Sequence, residues 1–163
     1  MKTIYLIGFM GSGKSTAGKL LHEALEVPYL DTDQMIVDKY GDIASIFQQE
    51  GEKQFRLYES EMLKQTPGEN YVVSTGGGIV ERQENSVFMK HNGLVVYLDT
   101  SLAEIERRLG NDPSRPLWDQ DKSSKRQLYK FRKNLYTALA DVTIMTDQKS
   151  PKHIVTEILD LMK

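Results

Sequence analysis

The chain has 163 residues, enough for one domain with a substantial core. Hydrophobic residues make up 39% of it and charged residues 27%, a balance that excludes wholesale disorder. The net charge of −2 argues against bulk nucleic-acid or anionic-membrane binding, and the absence of cysteine removes disulfides, thiol nucleophiles and thiolate-bound zinc. No apolar run approaches the ~20 residues of a membrane span. The opening segment Met1 to Gly8 reads as a buried strand and lacks the pattern of a cleaved leader. The expectation is a soluble, cytoplasmic protein with a single domain over residues 1–163.

Along the chain, strand and helix signals alternate. Ile4 to Ile7 is a short apolar run ending at a glycine, the pattern of a strand buried on both faces. Ala17, Leu20, Leu21, Ala24 and Leu25 recur at helical spacing and share one face. Val27 to Leu30 reads as a second strand, with Pro28 inside it. Residues 31–65 read as mostly helical, broken at Gly41 and Gly51 and stopped by Pro67-Gly68. Tyr71 to Ser74 is a third strand that runs into Gly76-Gly77-Gly78, and Leu94 to Leu98 is a fourth. Ser101 and Glu104 have capping-box spacing for a helix to about Leu109. Residues 110–123 are polar and hold Pro113 and Pro116, which predicts a mobile surface loop. A helix from about Ser124 to Ala140 places Leu128, Phe131, Leu135 and Leu139 on one side. Val142 to Met145 is a fifth strand, and Ser150-Pro151 opens a last helix carrying Ile154, Val155, Ile158 and Leu159. Such alternation predicts a three-layer α/β/α sandwich on a parallel sheet.

At the end of the first strand, Gly8-Phe9-Met10-Gly11-Ser12-Gly13-Lys14-Ser15 matches the phosphate-binding pattern G-x-x-x-x-G-K-[ST]. Its glycines allow the backbone N–H groups to converge on phosphate oxygens, where the following helix adds positive potential. Lys14 supplies a cation for the β- and γ-phosphates, and the Ser15 hydroxyl suits Mg²⁺. With the strand before it and the helix after it, the motif points to nucleotide binding.

Other residues narrow the chemistry. Asp31-Thr32-Asp33 follows the second strand, at the carboxyl edge where doubly wound sheets bind ligands. Two acids at i and i+2 can divide roles, one supporting hydrated Mg²⁺ and one meeting an acceptor hydroxyl; the simpler alternative is a helix N-cap. Arg56 and Glu59 are spaced to pair along a helix, either orienting the guanidinium or forming an ordinary surface ion pair. Gly76 to Gly78 permits close approach to a ligand, or merely a tight turn. Asp99 after the fourth strand resembles a second magnesium-side aspartate, but an acid ahead of the Ser101 cap is the preferred reading. Arg115 stands in the polar loop, where it could reach bound phosphates, and Arg132 reads on its own as part of a solvated helix face. His22, His91 and His153 show no ligand spacing, and Trp118 reads as an anchor of the loop.

Taken together, the ordered set resembles the shikimate kinase family across nearly the whole chain. The resemblance rests on the phosphate loop through Thr16, Leu30-Asp31-Thr32-Asp33, Phe55-Arg56-Leu57-Tyr58-Glu59, Gly76-Gly77-Gly78, Arg115-Pro116-Leu117 and Arg132 with Leu135-Tyr136. It implies a five-stranded parallel sheet in the order 2-3-1-4-5, with a lid over about residues 110–123. It also implies phosphoryl transfer from ATP to the 3-hydroxyl of shikimate, with Mg²⁺, on the route to chorismate. By the same resemblance Gly11, Ser12, Gly13, Lys14, Ser15 and Thr16 hold the phosphates, Ser15 ligates Mg²⁺, and Asp31 supports it through water. Asp33 meets the hydroxyl, Arg56 and Arg132 bind the substrate carboxylate, and Gly77 and Gly78 lie against the ring. Arg108 and Arg115 serve the nucleotide side, and Lys149 stands where the family often has an arginine near the adenine. Lys14, Asp33 and Arg115 form the implied catalytic set, in a monomer with no nucleic-acid or membrane partner. Rival readings are a gluconate-kinase-like or nucleoside-monophosphate-kinase-like enzyme, and a non-catalytic nucleotide-binding relative.

Overall fold

Five strands pair in parallel in the order 2-3-1-4-5: β1 (Thr3–Ile7), β2 (Tyr29–Asp31), β3 (Val72–Ser74), β4 (Gly93–Asp99) and β5 (Val142–Met145). The structure, a computed structural model, describes residues 1–110 and 122–163. Helices α1 (Lys14–Leu25), α2 (Thr32–Tyr40), α3 (Ile43–Gln49) and α4 (Glu52–Lys64) precede β3, apart from β2 between the first two. A single 3-10 turn (Ile79–Glu81) and α5 (Gln83–Asn92) lead to β4, followed by α6 (Leu102–Leu109), α7 (Lys122–Leu139) and, after β5, α8 (Pro151–Leu161).

β1 lies at the centre of the sheet because its two faces feed two different cores. Ile4 and Leu6 pack with Val72, Val96 and Ile144 against Ala17 and Leu21 of α1 and Ile154, Val155 and Ile158 of α8. Tyr5 and Ile7 point the other way and pack with Val73, Val95 and Tyr97 against Leu63, Met89, Ile105, Tyr136 and Leu139. Each of these large apolar side chains contributes roughly 1.5–3 kcal/mol when fully buried. A third, smaller core of Ile36, Ile46, Phe55 and Met62 holds α2, α3 and α4 together as the wall of the site described below.

The expected architecture and strand order are present, with local differences. Residues 31–65 are helical with the two glycine breaks, Gly41 and Gly51 both having positive φ. Helix α5, between the glycine run and β4, had no sequence expectation; its only buried residues are Asn85 and Met89, too few to show a stripe. In α7 the buried residues are Arg132, Tyr136 and Leu139, while Phe131 is 53% exposed. Leu128, Leu135 and Leu139 of the expected face pack on the core and only Phe131 does not: an arginine rather than a phenylalanine enters the interior. Only half of the expected capping box forms: Ser101 Oγ accepts from Glu104 N at 3.2 Å, but Ser101 N donates to Asp147. Helix α7 already includes Lys122 and Ser123 of the expected loop over residues 110–123; residues 111–121 of it, with Arg115, Pro116 and Trp118, lie outside the described residues. Among the described residues, no helix is long and apolar enough to cross a membrane.

Gly93 opens β4 opposite Thr3 of β1. A β-carbon there would collide with the Thr3 carbonyl oxygen and meet the Tyr5 ring at 2.9 and 3.0 Å. A backbone oxygen of the central strand cannot step aside, so Gly93→Ala should destabilise by about 1–3 kcal/mol. A lower urea midpoint with an unchanged m-value checks this; a midpoint equal to wild type would show that β1 and β4 separate at no cost.

Candidate active site

The loop between β1 and α1 closes on itself through its lysine. Gly11 and Gly13 take φ of 81° and 91°, the left-handed region open to glycine, and Gly13 is the residue from which α1 starts. Lys14 Nζ donates to the carbonyls of Gly8 at 2.6 Å and Phe9 at 3.1 Å, holding the loop wound around the helix N-terminus. Arg108 reaches the same loop from α6: its Nη1 donates to Gly11 O at 3.2 Å and its Nε to Glu104 at 2.9 Å. Gly11, Gly13, Lys14 and Arg108, with Ser12, Ser15, Thr16, Lys149, Pro151 and Ile154, line a cleft of about 430 Å³. The Lys149 ammonium in its wall is engaged by both carboxylate oxygens of Glu157, at 2.8 and 3.0 Å.

The two oxygens of Asp31 have different partners. Oδ1 caps α2, accepting from Asp33 N at 2.9 Å and Gln34 N at 3.2 Å. Oδ2 accepts from the Ser15 hydroxyl at 3.2 Å. A serine hydroxyl and a carboxylate oxygen so placed, beside a phosphate-binding loop, are the hard oxygen donors that Mg²⁺ takes while keeping most of its water. Asp99 lines neither this cleft nor the next; it accepts from Tyr97 and lies 3.8 Å from Lys133, in keeping with a structural acid.

A second cavity of about 270 Å³ adjoins the first, and the two share Ser15, Asp31, Asp33 and Gly77. Its walls bring together Asp33 from α2, Arg56 and Glu59 from α4, the glycine run after β3, and Arg132 from α7. The three glycines make room for three different sets of charged side chains. A β-carbon at Gly76 would lie 2.7 Å from both Asp33 Oδ1 and Glu59 Oε2, one at Gly77 would lie 3.3 Å from Arg132 Nη1, and one at Gly78 would run into the Arg56 guanidinium. Arg56 donates to Glu59 at 3.0 Å and to Glu52 at 3.2 Å. Burial alone would lower its pKa; the facing carboxylates of Glu59, Glu81 and Glu52 outweigh that and hold it above the ordinary value. Arg132, 1% exposed, donates from Nε to Glu81 Oε2 at 2.7 Å, and its guanidinium carbon stands 5.7 Å from the centre of the Phe9 ring. One turn on, the buried Tyr136 hydroxyl donates to Gly77 O and fixes the glycine run.

Sequence reasoning therefore placed Asp33, Arg56, Gly77, Gly78 and Arg132, and the geometry brings them to one cavity; Arg115 lies outside the described residues. It missed Glu81, which follows the glycine run by three residues with no motif to mark it. It also missed the burial of Glu59, hidden because an i, i+3 pair with Arg56 looks the same on a solvated face.

Known proteins are similar to this chain over nearly its whole length. A family model described as shikimate kinase matches residues 10–163. A shikimate kinase from Sulfurihydrogenibium sp. (strain YO3AOP1) is 47% identical over 165 residues, covering 100% of this chain and 99% of that one. One from Bacillus cereus (strain AH187) is 46% identical over 160 residues, with 97% and 96% coverage. Among solved structures, a shikimate kinase from Acinetobacter baumannii in complex with shikimate superposes with a TM-score of 0.95 at 38% identity, over 99% of this chain and 93% of that one. A gluconokinase from Sinorhizobium meliloti 1021, covered to 89% and matching 97% of this chain, shares only the fold, at a TM-score of 0.64 and 18% identity.

Glu59 carries a prediction of its own. Burial pushes its carboxyl up from 4.5 to about 7, against the opposing pull of Arg56, and the Asp33 charge adds to the rise. The folded protein therefore binds this proton more tightly than the unfolded chain. The stability it contributes is complete below pH 4.5 and is lost as the pH rises to about 7. Each unit of such a shift is worth about 1.4 kcal/mol. Glu59→Gln, which cannot ionise, should flatten the decline in unfolding free energy across that window. Urea unfolding at about pH 5 and pH 8 measures it; the same decline in both proteins would place the titration elsewhere.

Proposed function

The chain belongs to the shikimate kinase family, and from that premise we propose how its residues divide the transfer of the ATP γ-phosphoryl group to the 3-hydroxyl of shikimate. The enzyme phosphorylates shikimate. The observation that supports the division of roles is the meeting of the two cavities at Ser15, Asp31, Asp33 and Gly77, with two carboxylates between the phosphate loop and the smaller cavity.

In the larger cleft, the backbone N–H groups of Gly11 to Thr16 take the ATP phosphates, and Arg108 braces the loop at Gly11. Lys14 exchanges the Gly8 and Phe9 carbonyls for phosphate oxygens as the nucleotide enters. Ser15 and, through water, Asp31 would hold Mg²⁺, which would supply charge neutralisation at the β- and γ-phosphates. Lys149, Pro151 and Ile154 border the adenine end. Arg115 joins the phosphates as charge develops on the transferring group.

In the smaller cavity, Arg56 and Arg132 take the shikimate carboxylate, and the backbone at Gly77 and Gly78 lies against the ring. Asp33 orients the 3-hydroxyl toward the phosphate cradle. The hydroxyl oxygen forms the new bond to the γ-phosphorus as the bridging oxygen of ADP departs, and the hydroxyl proton passes late to Asp33. A loose transition state asks for positioning and charge neutralisation more than for a strong base, so an aspartate suffices. The product is shikimate 3-phosphate, on the route to chorismate and the aromatic amino acids. A monomeric cytoplasmic enzyme without nucleic-acid or membrane partners fits the near-neutral charge balance.

Two variants test this. Lys14→Met should still fold, with a modestly lower unfolding temperature as the bonds to the Gly8 and Phe9 carbonyls are lost, and should abolish turnover; near-normal activity with ATP and Mg²⁺ would overturn the phosphate-cradle roles. For the carboxylate clamp, the substrate is compared with an analogue whose carboxylate is reduced to a hydroxymethyl group. Charge-assisted hydrogen bonds of about 1.5–3 kcal/mol correspond to roughly 10- to 150-fold. Wild type should discriminate by that order, and Arg56→Ala should discriminate much less while its KM for ATP hardly moves. Equal loss of both ligands in the variant would assign Arg56 to the fold instead.

A further inference from the structure

Arg132 presents a problem of orientation. A guanidinium is a planar fork with several donor edges, and only one edge can face a given ligand. Here the side chain comes from the middle of α7, is almost fully buried, and has the Phe9 ring over one face. Its Nε is engaged by Glu81 at 2.7 Å, and Nη1 lies toward Gly77. Nη2 is buried and has no hydrogen-bond partner among the described residues. The same holds for Glu59 Oε2, whose charge feels that of Arg132 across the cavity. Two opposite charges in one small cavity would pair if the guanidinium could turn, and the edge offered to a ligand would then close.

We propose that Glu81 is the positioning residue of the acceptor site: by holding Nε of Arg132 it keeps the Nη edge of that guanidinium turned to the substrate carboxylate and away from Glu59. The inference rests on the reading in which Arg132 binds that carboxylate. Glu81 is suited to the task by its place in the chain. It ends the 3-10 turn that follows the glycine run, so the same few residues set both the ring-facing backbone at Gly77 and Gly78 and the anchor of Arg132. Tyr136 ties the other side of the arrangement to Gly77 O. Glu81 touches no substrate in this account and acts only through Arg132. It stands outside every motif on which the family resemblance rests.

The test separates reach from charge. Glu81→Gln keeps the length of the side chain and an acceptor oxygen but loses the charge; Glu81→Asp keeps the charge and is one methylene short. Steady-state kinetics are measured with shikimate and with its hydroxymethyl analogue, and Arg132→Lys serves as the reference. Glu81→Gln should stay within about threefold of wild type in KM for shikimate and in discrimination between the two substrates. Glu81→Asp should raise that KM and lower the discrimination by about tenfold, the value of one hydrogen bond to a charged group. In both variants, kcat and KM for ATP should stay within about twofold, a split that a general loss of structure would not produce. Thermal unfolding checks the fold; if Glu81→Asp does not fold, Glu81→Met, with similar length and no acceptor, replaces it with the same expected loss. Discrimination lost in Arg132→Lys but kept in Glu81→Asp overturns the role of Glu81 and leaves the clamp standing. Impairment of Glu81→Gln with Glu81→Asp spared, the mark of a charge requirement, also overturns it. Discrimination retained in Arg132→Lys overturns the clamp and this inference with it.

Discussion

Burying the guanidinium of Arg132 is the constraint on which the acceptor site depends. A charge removed from water costs several kcal/mol unless its donors are met, so the surrounding residues are arranged by what that side chain needs. Glu81 meets Nε, the face of Phe9 lies over the cation, and Gly77 leaves the space into which Nη1 extends. Arg56 repeats the pattern less deeply, with Glu59 and Glu52 on its donors and Gly78 yielding the space for its head. The run of three glycines is thus a consequence of packing. A side chain would meet Asp33 of α2 and Glu59 of α4 at Gly76, Arg132 of α7 at Gly77 and Arg56 of α4 at Gly78.

The sheet explains why these groups meet the phosphate loop. In the order 2-3-1-4-5, the carboxyl ends of β2, β3 and β1 are neighbours, and each ends in a segment of the site. Asp31 ends β2 and Asp33 follows it, the glycine run follows β3, and the phosphate loop follows β1. Parallel pairing fixes their register: Asp31 stands beside Ser74, and Leu6 beside Ser74 on the other side. The hydrogen bonds from Gly76 N to Thr32 Oγ1 and from Thr75 Oγ1 to Leu6 O then stitch the three segments together. Asp31 shows how compactly the edge is used, since one carboxylate both starts α2 and faces the hydroxyl of Ser15.

What the sequence revealed and what it concealed divide along physical lines. The phosphate loop was legible because its chemistry requires glycines and a lysine at fixed spacing, and the strands because five short apolar runs have no other use in a chain with this periodicity. Arg132 was not legible from periodicity, which assigned Phe131 to the interior and the arginine to solvent. A helix whose buried stripe contains a charge breaks the rule by which stripes are found. Helix α5 escaped for the related reason that it buries so little apolar surface. Glu81 left no trace at all, because its importance lies in a partner 51 residues away that only the fold brings near. Family resemblance supplied Arg132, yet it could not supply the residue that orients it.

The central claim is that one cavity holds the acceptor by its carboxylate while presenting a hydroxyl to the phosphate cradle across Asp33. A crystal structure of the enzyme with shikimate and a non-hydrolysable ATP analogue measures this most directly. The account predicts the shikimate carboxylate on the Nη edges of Arg56 and Arg132, with Glu81 still on Nε of Arg132. It also predicts the 3-hydroxyl within hydrogen-bond reach of Asp33 and facing the terminal phosphate. A shikimate bound in the reverse sense, with its carboxylate at the phosphate loop and its hydroxyls on the two arginines, would contradict it.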